Sequence, residues 1–243
     1  MPVPELIFCG GNNPRFAEIA IAAGFRYGCE LTGDTPYAPV YFADQDWTAH
    51  RRAVAAGQGD AFRVRYMARL AQYRPHMATV LDWERQDQLT EVLIWAEEAA
   101  ALVDQVLIIP KVPSWNNPIR QIPRTIGGRS VVLAYSVPTR YGGTPLPLSY
   151  FTGWPVHLLG GSPHEQMRLC RTFTALGATV VSVDGNMHQK EANRLCAFWR
   201  AEKGRKGHWV QLAEVGLGDY GRNSNVEAFR RSCENIAAAW RSL

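Results

Sequence analysis

The 243-residue sequence contains no C-x-x-C pair, and its five cysteines (Cys9, Cys29, Cys170, Cys196 and Cys233) are odd in number and far apart. A disulfide framework and a structural zinc site therefore lack support. No apolar stretch approaches the roughly 20 residues that span a bilayer. The N-terminal MPVPELIFCGG has no basic segment and too short an apolar run for a signal peptide. None of the six histidines pairs at i, i+4 with a nearby carboxylate as in zinc proteases. No G-x-S-x-G elbow and no P-loop is present, and no internal repeat or low-complexity segment is seen. These absences point to a reduced, soluble, cytoplasmic protein.

What is present is an ordinary globular composition. Hydrophobic residues make up 47% and charged residues 20%, enough apolar material for a large core and against disorder as the dominant state. The 26 Lys+Arg against 22 Asp+Glu leave a net charge of +4, which permits a nucleic-acid partner without requiring one. Length alone accommodates one large domain or two small ones, and about 250 residues is the usual size of a single α/β barrel.

Short apolar runs recur along the chain, each closed by turn residues and mostly followed by a helical pattern. Eight such runs predict strands at Glu5–Cys9, Arg26–Leu31, Val40–Ala43, Met77–Leu81, Gln105–Ile109, Ser130–Ala134, Val156–Leu159 and Thr179–Val183. Helices are predicted from Pro14 to Ala23, from Trp47 to Tyr73 with a break at Gly57 or Gly59, and from Gln88 to Val103. Further helices follow at Pro163–Ala175, with Ser162 as N-cap and Pro163 in the first position, at Met187–Trp199 and at Asn225–Trp240. Near-continuous apolar strands alternating with helices imply a parallel sheet covered on both faces. Eight units in this length predict a closed, compact (β/α)8 TIM barrel filling residues 1–243. An open doubly wound sheet would carry G-x-G-x-x-G after the first strand, where this chain has GGNNPRF. Two irregular stretches, Val112–Arg129 and Pro138–Trp154, are long enough to carry function.

A barrel of this kind does its chemistry at the C-terminal strand ends. The residues expected there are Asn12 and Asn13, Glu30, Asp44 and Asp46, Asp82 and Glu84, Lys111, Ser136 with Arg140 and Tyr141, Gly160-Gly161-Ser162, and Asp184 with Asn186. Three strands thus deliver an aspartate to one ring. Convergent carboxylates suit a divalent metal, glycosyl transfer, or a base offering adjacent N–H donors. Taken singly, each aspartate is equally well explained as a helix cap or turn residue. The Gly160-Gly161 turn supplies backbone N–H groups to an anion or carbonyl, or simply a tight turn. His157, inside a strand, reads as a paired core residue, and His188 as a candidate pocket residue. Trp47, Trp83 and Trp115 follow strand ends, where they would stack a base or cap the rim. Arg120, Arg124, Arg129 and Arg140 gather around the long loops, and Lys203, Arg205 and Lys206 form a second basic group. Either group is a candidate for phosphate contact.

The segment VHLLGGSPHEQMRLCRTFTALGATVVSVDGN, Val156 to Asn186, resembles the C-terminal part of the tRNA-guanine transglycosylase barrel. That family runs strand, Gly-rich turn, Pro, helix, and then a strand ending in the aspartate nucleophile. The resemblance puts that role on Asp184. ATVLDWE resembles the family's strand whose aspartate binds the guanine edge, which implies Asp82. VYFADQD stands where the family has Asp-Ser-Gly-Gly and implies Asp44 as a second catalytic carboxylate. LAYSVPTRYGG stands at the glycine-rich base-binding segment and brings in Tyr135, Ser136 and Arg140; Gly160, Gly161 and Lys111 complete the implied substrate-binding set. The family's zinc motif is absent, and no added RNA-binding domain is visible. In both respects the chain is more similar to the phage and bacterial DNA-guanine transglycosylases, which place 7-deazaguanine bases into DNA.

The implied activity is exchange of guanine in DNA, or in tRNA, for a free 7-deazaguanine through a covalent aspartyl-glycosyl intermediate. It calls for no cofactor, no metal and no membrane, and is compatible with a homodimer. Two other functions remain open at this point. One is a metal-dependent barrel lyase or hydrolase using Asp44, Asp82 and Asp184 as ligands. The other is a non-catalytic nucleic-acid-binding barrel.

Overall fold

The structure is a computed structural model that describes residues 3–10, 13–114, 116–139, 142–202, 205–217 and 221–243. Strands β1 (Glu5–Cys9), β2 (Arg26–Glu30), β3 (Phe42–Asp44), β4 (Met77–Thr79) and β5 (Gln105–Ile108) pair in parallel in chain order. The two-residue β6 (Thr125–Ile126) only folds back on the start of β7 (Arg129–Ser136). β7 pairs in parallel with β5, then with β8 (Pro155–Leu159), and β8 with β9 (Thr179–Gly185). β9 then pairs with β1, Leu6 beside Val183 and Ile7 beside Asp184. The eight parallel strands are therefore a closed (β/α)8 barrel.

Local sequence explains the helices. Asn13 caps α1 (Pro14–Ala22) through its side chain to the Arg15 N–H, and Pro14 opens the first turn. Asp46 caps α2 (Trp47–Ala55) through the Ala49 N–H. Gly57 has φ of 70° and separates α2 from α3 (Gly59–Tyr73). α4 spans Leu89–Ala100. α5 spans Pro163–Ala175, with Ser162 as its cap. Helices follow β1, β3, β4, β8 and β9, whereas β2, β5 and β7 lead into loops with at most a short 3-10 turn.

Two apolar layers result. Ile7, Phe42, Met77, Leu107, Ile109, Val132 and Ala134 fill the barrel interior. Their strand neighbours Leu6, Phe8, Val106, Val131 and Leu133 face outward under the helices. This alternation is the pleat of a strand covered on both faces.

The helix predicted over Met187–Trp199 is corrected. α6 covers Met187–Leu195 and stops where Cys196 takes a left-handed conformation, φ 49°. The following AFW run, which continues the helical apolar spacing, instead forms β10 (Ala197–Glu202), antiparallel to β11 (Arg205–Gln211). Aromatic side chains at 198 and 199 favour the pleated surface once a partner strand is present. The C-terminal helix α7 (Ser224–Arg241) packs this hairpin, α6 and α1 together. No helix among the described residues is long and apolar enough to cross a membrane.

Phe229 of α7 is the keystone of this outer packing. Its ring centroid lies 4.7 Å from Phe16, 5.1 Å from Phe8 and 5.0 Å from His188. Phe229→Ala is expected to cost about 3–5 kcal/mol of unfolding free energy. Urea denaturation should show it as a lowered midpoint with unchanged slope.

Candidate active site at the barrel mouth

Inward-facing positions at the C-terminal strand ends carry the polar residues. On β3, Phe42 faces the interior and Asp44, two residues on, shares its side. On β9, simple alternation would fail. Val181 packs on the interior layer while Val180 and Val183 pack outward. A register shift between β8 and β9 matches Val156 to Val180 but His157 to Ser182. This bulge resets the pleat so that Ser182 and Asp184 both face the barrel interior.

Asp184, 6% exposed, is held from two sides. His157 Nε2 donates to its Oδ1 at 3.1 Å and the Gly160 N–H donates to the same oxygen at 2.9 Å. A carboxylate only accepts, so the proton on this side of the imidazole sits on Nε2. Both bonds fall on Oδ1, and Oδ2 has no donor among the described residues. Gln166 of α5 locks the turn from behind, its Nε2 donating to the Gly160 carbonyl at 2.8 Å and the Asp184 carbonyl at 2.6 Å. Gly160 and Gly161 take φ of 69° and 89°, and a Cβ at Gly161 would meet Val137 at 2.7 Å. The diglycine is thus required by conformation and by close approach.

Asp44 sits in a different environment. Its Oδ1 accepts from the Thr79 hydroxyl at 2.9 Å, and Thr79 Oγ1 accepts from the Gln45 N–H at 2.8 Å. Burial, then the charge of Asp184, hold the Asp44 carboxyl well above the usual carboxylate range, against the Thr79 bond. The same two causes, with Asp44 adding to Asp184, raise the Cys9 thiol at the end of β1. At the exposed rim, burial and the charges of Asp46 and Asp34 raise Glu30, which Lys190 opposes. Asp82, 5% exposed, follows β4, and burial raises it while Lys111 lowers it. Lys111 Nζ lies 2.7 Å from Asp82 Oδ2 and 5.7 Å from the Trp47 ring. Trp47 donates its indole N–H to Glu84 and carries the Arg51 guanidinium at 4.8 Å. A groove of about 370 Å³, lined by Trp47, Arg51, Asp82, Glu84, Arg85 and Gln88 among others, runs outward from this pair.

Of the residues singled out in the sequence, Asp44, Asp82, Lys111, Gly160, Gly161 and Asp184 gather at this mouth, and Ser136 follows Val132 and Ala134 on the same inward face of β7. Tyr135 does not join them. Lying one residue out of phase, it packs between the barrel wall and α5, edge-on to Phe151 and Phe173. Trp83 is buried in the outer layer and cannot stack a base. His188 is buried against Phe229, its rings 5.0 Å apart, and burial pushes its pKa down to about 3. Asp46 and Asn13 are helix caps. Arg124 binds the Gly153 carbonyl before β8, and Arg129 pairs with Asp104 before β5, so both lie at the barrel end opposite the mouth. Arg120 lines a surface groove with Arg124. Asn12, Trp115, Arg140, Tyr141 and Lys203, and the side chains of Arg205 and Lys206, lie outside the described residues. Among the described residues no three of His, Cys, Asp and Glu come together to hold a metal ion, so the three aspartates form no single ion cage.

Three site residues escaped sequence reasoning: Thr79, Gln166 and the partner role of His157. For Thr79 and His157 the available signal was a polar residue inside a strand buried on both faces, where an unpaired group would be costly; Gln166, on α5, carried no such signal.

The model of a family of unknown function (DUF6610) matches residues 17–241, and the chain belongs to that family. No curated protein matches it.

The raised Asp44 carboxyl has a stability consequence. Below about pH 4 the group is protonated in both folded and unfolded chains. As pH rises toward its folded pKa, only the folded chain still binds the proton against the charge of Asp184, and the stability this group contributes is progressively lost. Asp44→Asn removes that titration and keeps an acceptor for Thr79. Its melting temperature should match wild type near pH 4 and exceed it increasingly toward neutral pH, as scanned by thermal melts across that range.

Proposed function

We propose that the protein is a guanine transglycosylase that exchanges guanine in DNA for a free 7-deazaguanine. The observation that carries this proposal is the pair of differently treated aspartates at one mouth. Asp184 is held through one oxygen, and the other has no donor among the described residues, as a nucleophile needs. Asp44 is driven toward its neutral acid form, as a proton donor needs.

In the first half-reaction Asp184 Oδ2 attacks the anomeric carbon and the bond to guanine N9 breaks. Its electron pair stays with the base, and Asp44 supplies the proton that lets guanine leave neutral. In the second half, N9 of the 7-deazaguanine attacks the same carbon, its proton passes to the Asp44 carboxylate, and Asp184 departs as a carboxylate. Two inversions give net retention. The guanine lactam edge presents two donors, N1–H and N2–H, beside the acceptor O6. The Asp82–Lys111 pair offers acceptor oxygens beside an ammonium, 2.7 Å apart, and matches that edge. The target nucleotide must leave the helical stack to reach the mouth. Arg51, Arg85 and Lys111 at and beside the groove supply positive charge for the backbone. The sequence resemblance of Val156–Asn186 to the tRNA-guanine transglycosylase barrel supports the same assignment.

The test is incubation with radiolabelled guanine or 7-deazaguanine and either duplex DNA or tRNA. Label is expected in DNA with wild type and in neither polymer with Asp184→Asn. Exchange that survives Asp184→Asn, or no incorporation by wild type into either polymer, overturns the proposal.

A further inference from the structure

We infer that His157 is a positioning residue that commits Asp184 to attack through Oδ2 and speeds its release from the sugar. The inference rests on the transglycosylase function proposed above.

His157 is 0% exposed, inside the barrel and below the mouth. Its neighbours in that layer are apolar, and its ring lies 5.0 Å from that of Phe42. An imidazole in such a place is costly unless both nitrogens are paired, and a leucine would fill the space without any partner. Both nitrogens are paired, and along one line. Nδ1 lies 2.7 Å from Ser182 Oγ, and Nε2 donates to Asp184 Oδ1 at 3.1 Å. With the proton on Nε2, the Ser182 hydroxyl donates to Nδ1 and fixes the tautomer. Ser182 and Asp184, two residues apart, share a face, and the bulge after Val180 turns that face inward, where His157 on the adjacent strand spans the two. Ser182, His157 and Asp184 therefore form one rigid unit that ends on the nucleophile.

The position of the donors decides what that unit does. His157 and Gly160 both serve Oδ1, which becomes the carbonyl oxygen when Oδ2 bonds to the sugar. In that ester Oδ1 carries little charge. When the bond from the anomeric carbon to Oδ2 breaks in the second half-reaction, its electron pair returns to the carboxylate and charge grows on Oδ1. The two N–H donors then strengthen their bonds, as fixed donors do toward developing negative charge. Loss of His157 should therefore slow the second half more than the first.

Wild type, His157→Leu, His157→Gln and Ser182→Ala are compared on guanine-containing DNA with 7-deazaguanine base as acceptor. Exchange rates are read alongside intact mass after acid quench. A hydrogen bond to a charged group is worth a factor of about 10 to 100. His157→Leu should lose about that factor in kcat at unchanged KM for the base. It should also accumulate the covalent protein–DNA adduct. His157→Gln keeps a donor and should recover most of the rate, and Ser182→Ala should fall between. Equal loss in the leucine and glutamine variants, slowing without adduct, or a leucine variant as fast as wild type overturns the inference. Should the leucine variant fail to fold by circular dichroism, the glutamine and Ser182 variants carry the comparison. Absence of exchange in wild type removes the function itself. The tether is then read by nitrogen-15 NMR of the histidine rings. Nδ1 unprotonated in wild type and a shifted His157 ring in Asp184→Asn support it, and an unchanged ring overturns it.

Discussion

The parallel ladder between β9 and β1 is the contact on which the rest of the structure depends. It joins the last barrel strand to the first, closes the sheet, and sets Asp184 beside Ile7. Closure removes both sheet edges and turns one face of every strand into a sealed interior. Seven buried apolar side chains fill that interior, His157 and Ser182 pair within it, and the carboxylates stand at its upper rim. The rim is where backbone amides, loops and carboxylates meet at close range.

Confinement gives similar side chains different chemistry. Asp184 accepts from two N–H donors. Asp44 receives a single hydroxyl, and burial, then the charge of Asp184, raise its carboxyl well above the usual range. Asp82 is neutralised by an ammonium 2.7 Å away. The proposed exchange rests on this contrast between a buried, raised carboxyl and a carboxylate held by two N–H donors. The bulge in β9 belongs to the same arrangement, because without the extra residue Asp184 would point out of the barrel.

The periphery follows looser rules. Three strands lead into loops instead of helices, and the β10–β11 hairpin with α7 builds an added layer beside α6. Arg124 and Arg129, which gather around the long loops in sequence, are used at the N-terminal barrel face to tie strand entrances together. Among the described residues, Lys111, Arg51 and Arg85 put positive charge on or next to the groove that leaves Asp82, and Lys190 acts on Glu30 at the rim.

The sequence by itself determined the eight barrel strands, the capped helices α1, α2 and α5, and the aspartates at three strand ends. Those are local properties: apolar runs bounded by turn residues, Asn, Asp or Ser before a helix, and a carboxylate at the residue where an apolar run stops. Only the tertiary structure decided what depends on a neighbouring strand. The AFW run after Cys196 became a strand because β11 was there to pair with it. The bulge that turns Asp184 inward is a mismatch between two strands, and so is absent from either one read alone. His157, one polar residue in an apolar strand, gained its partner from a residue 27 positions away. Side-chain period along one strand is written in the sequence, whereas register between strands is set by closing the barrel.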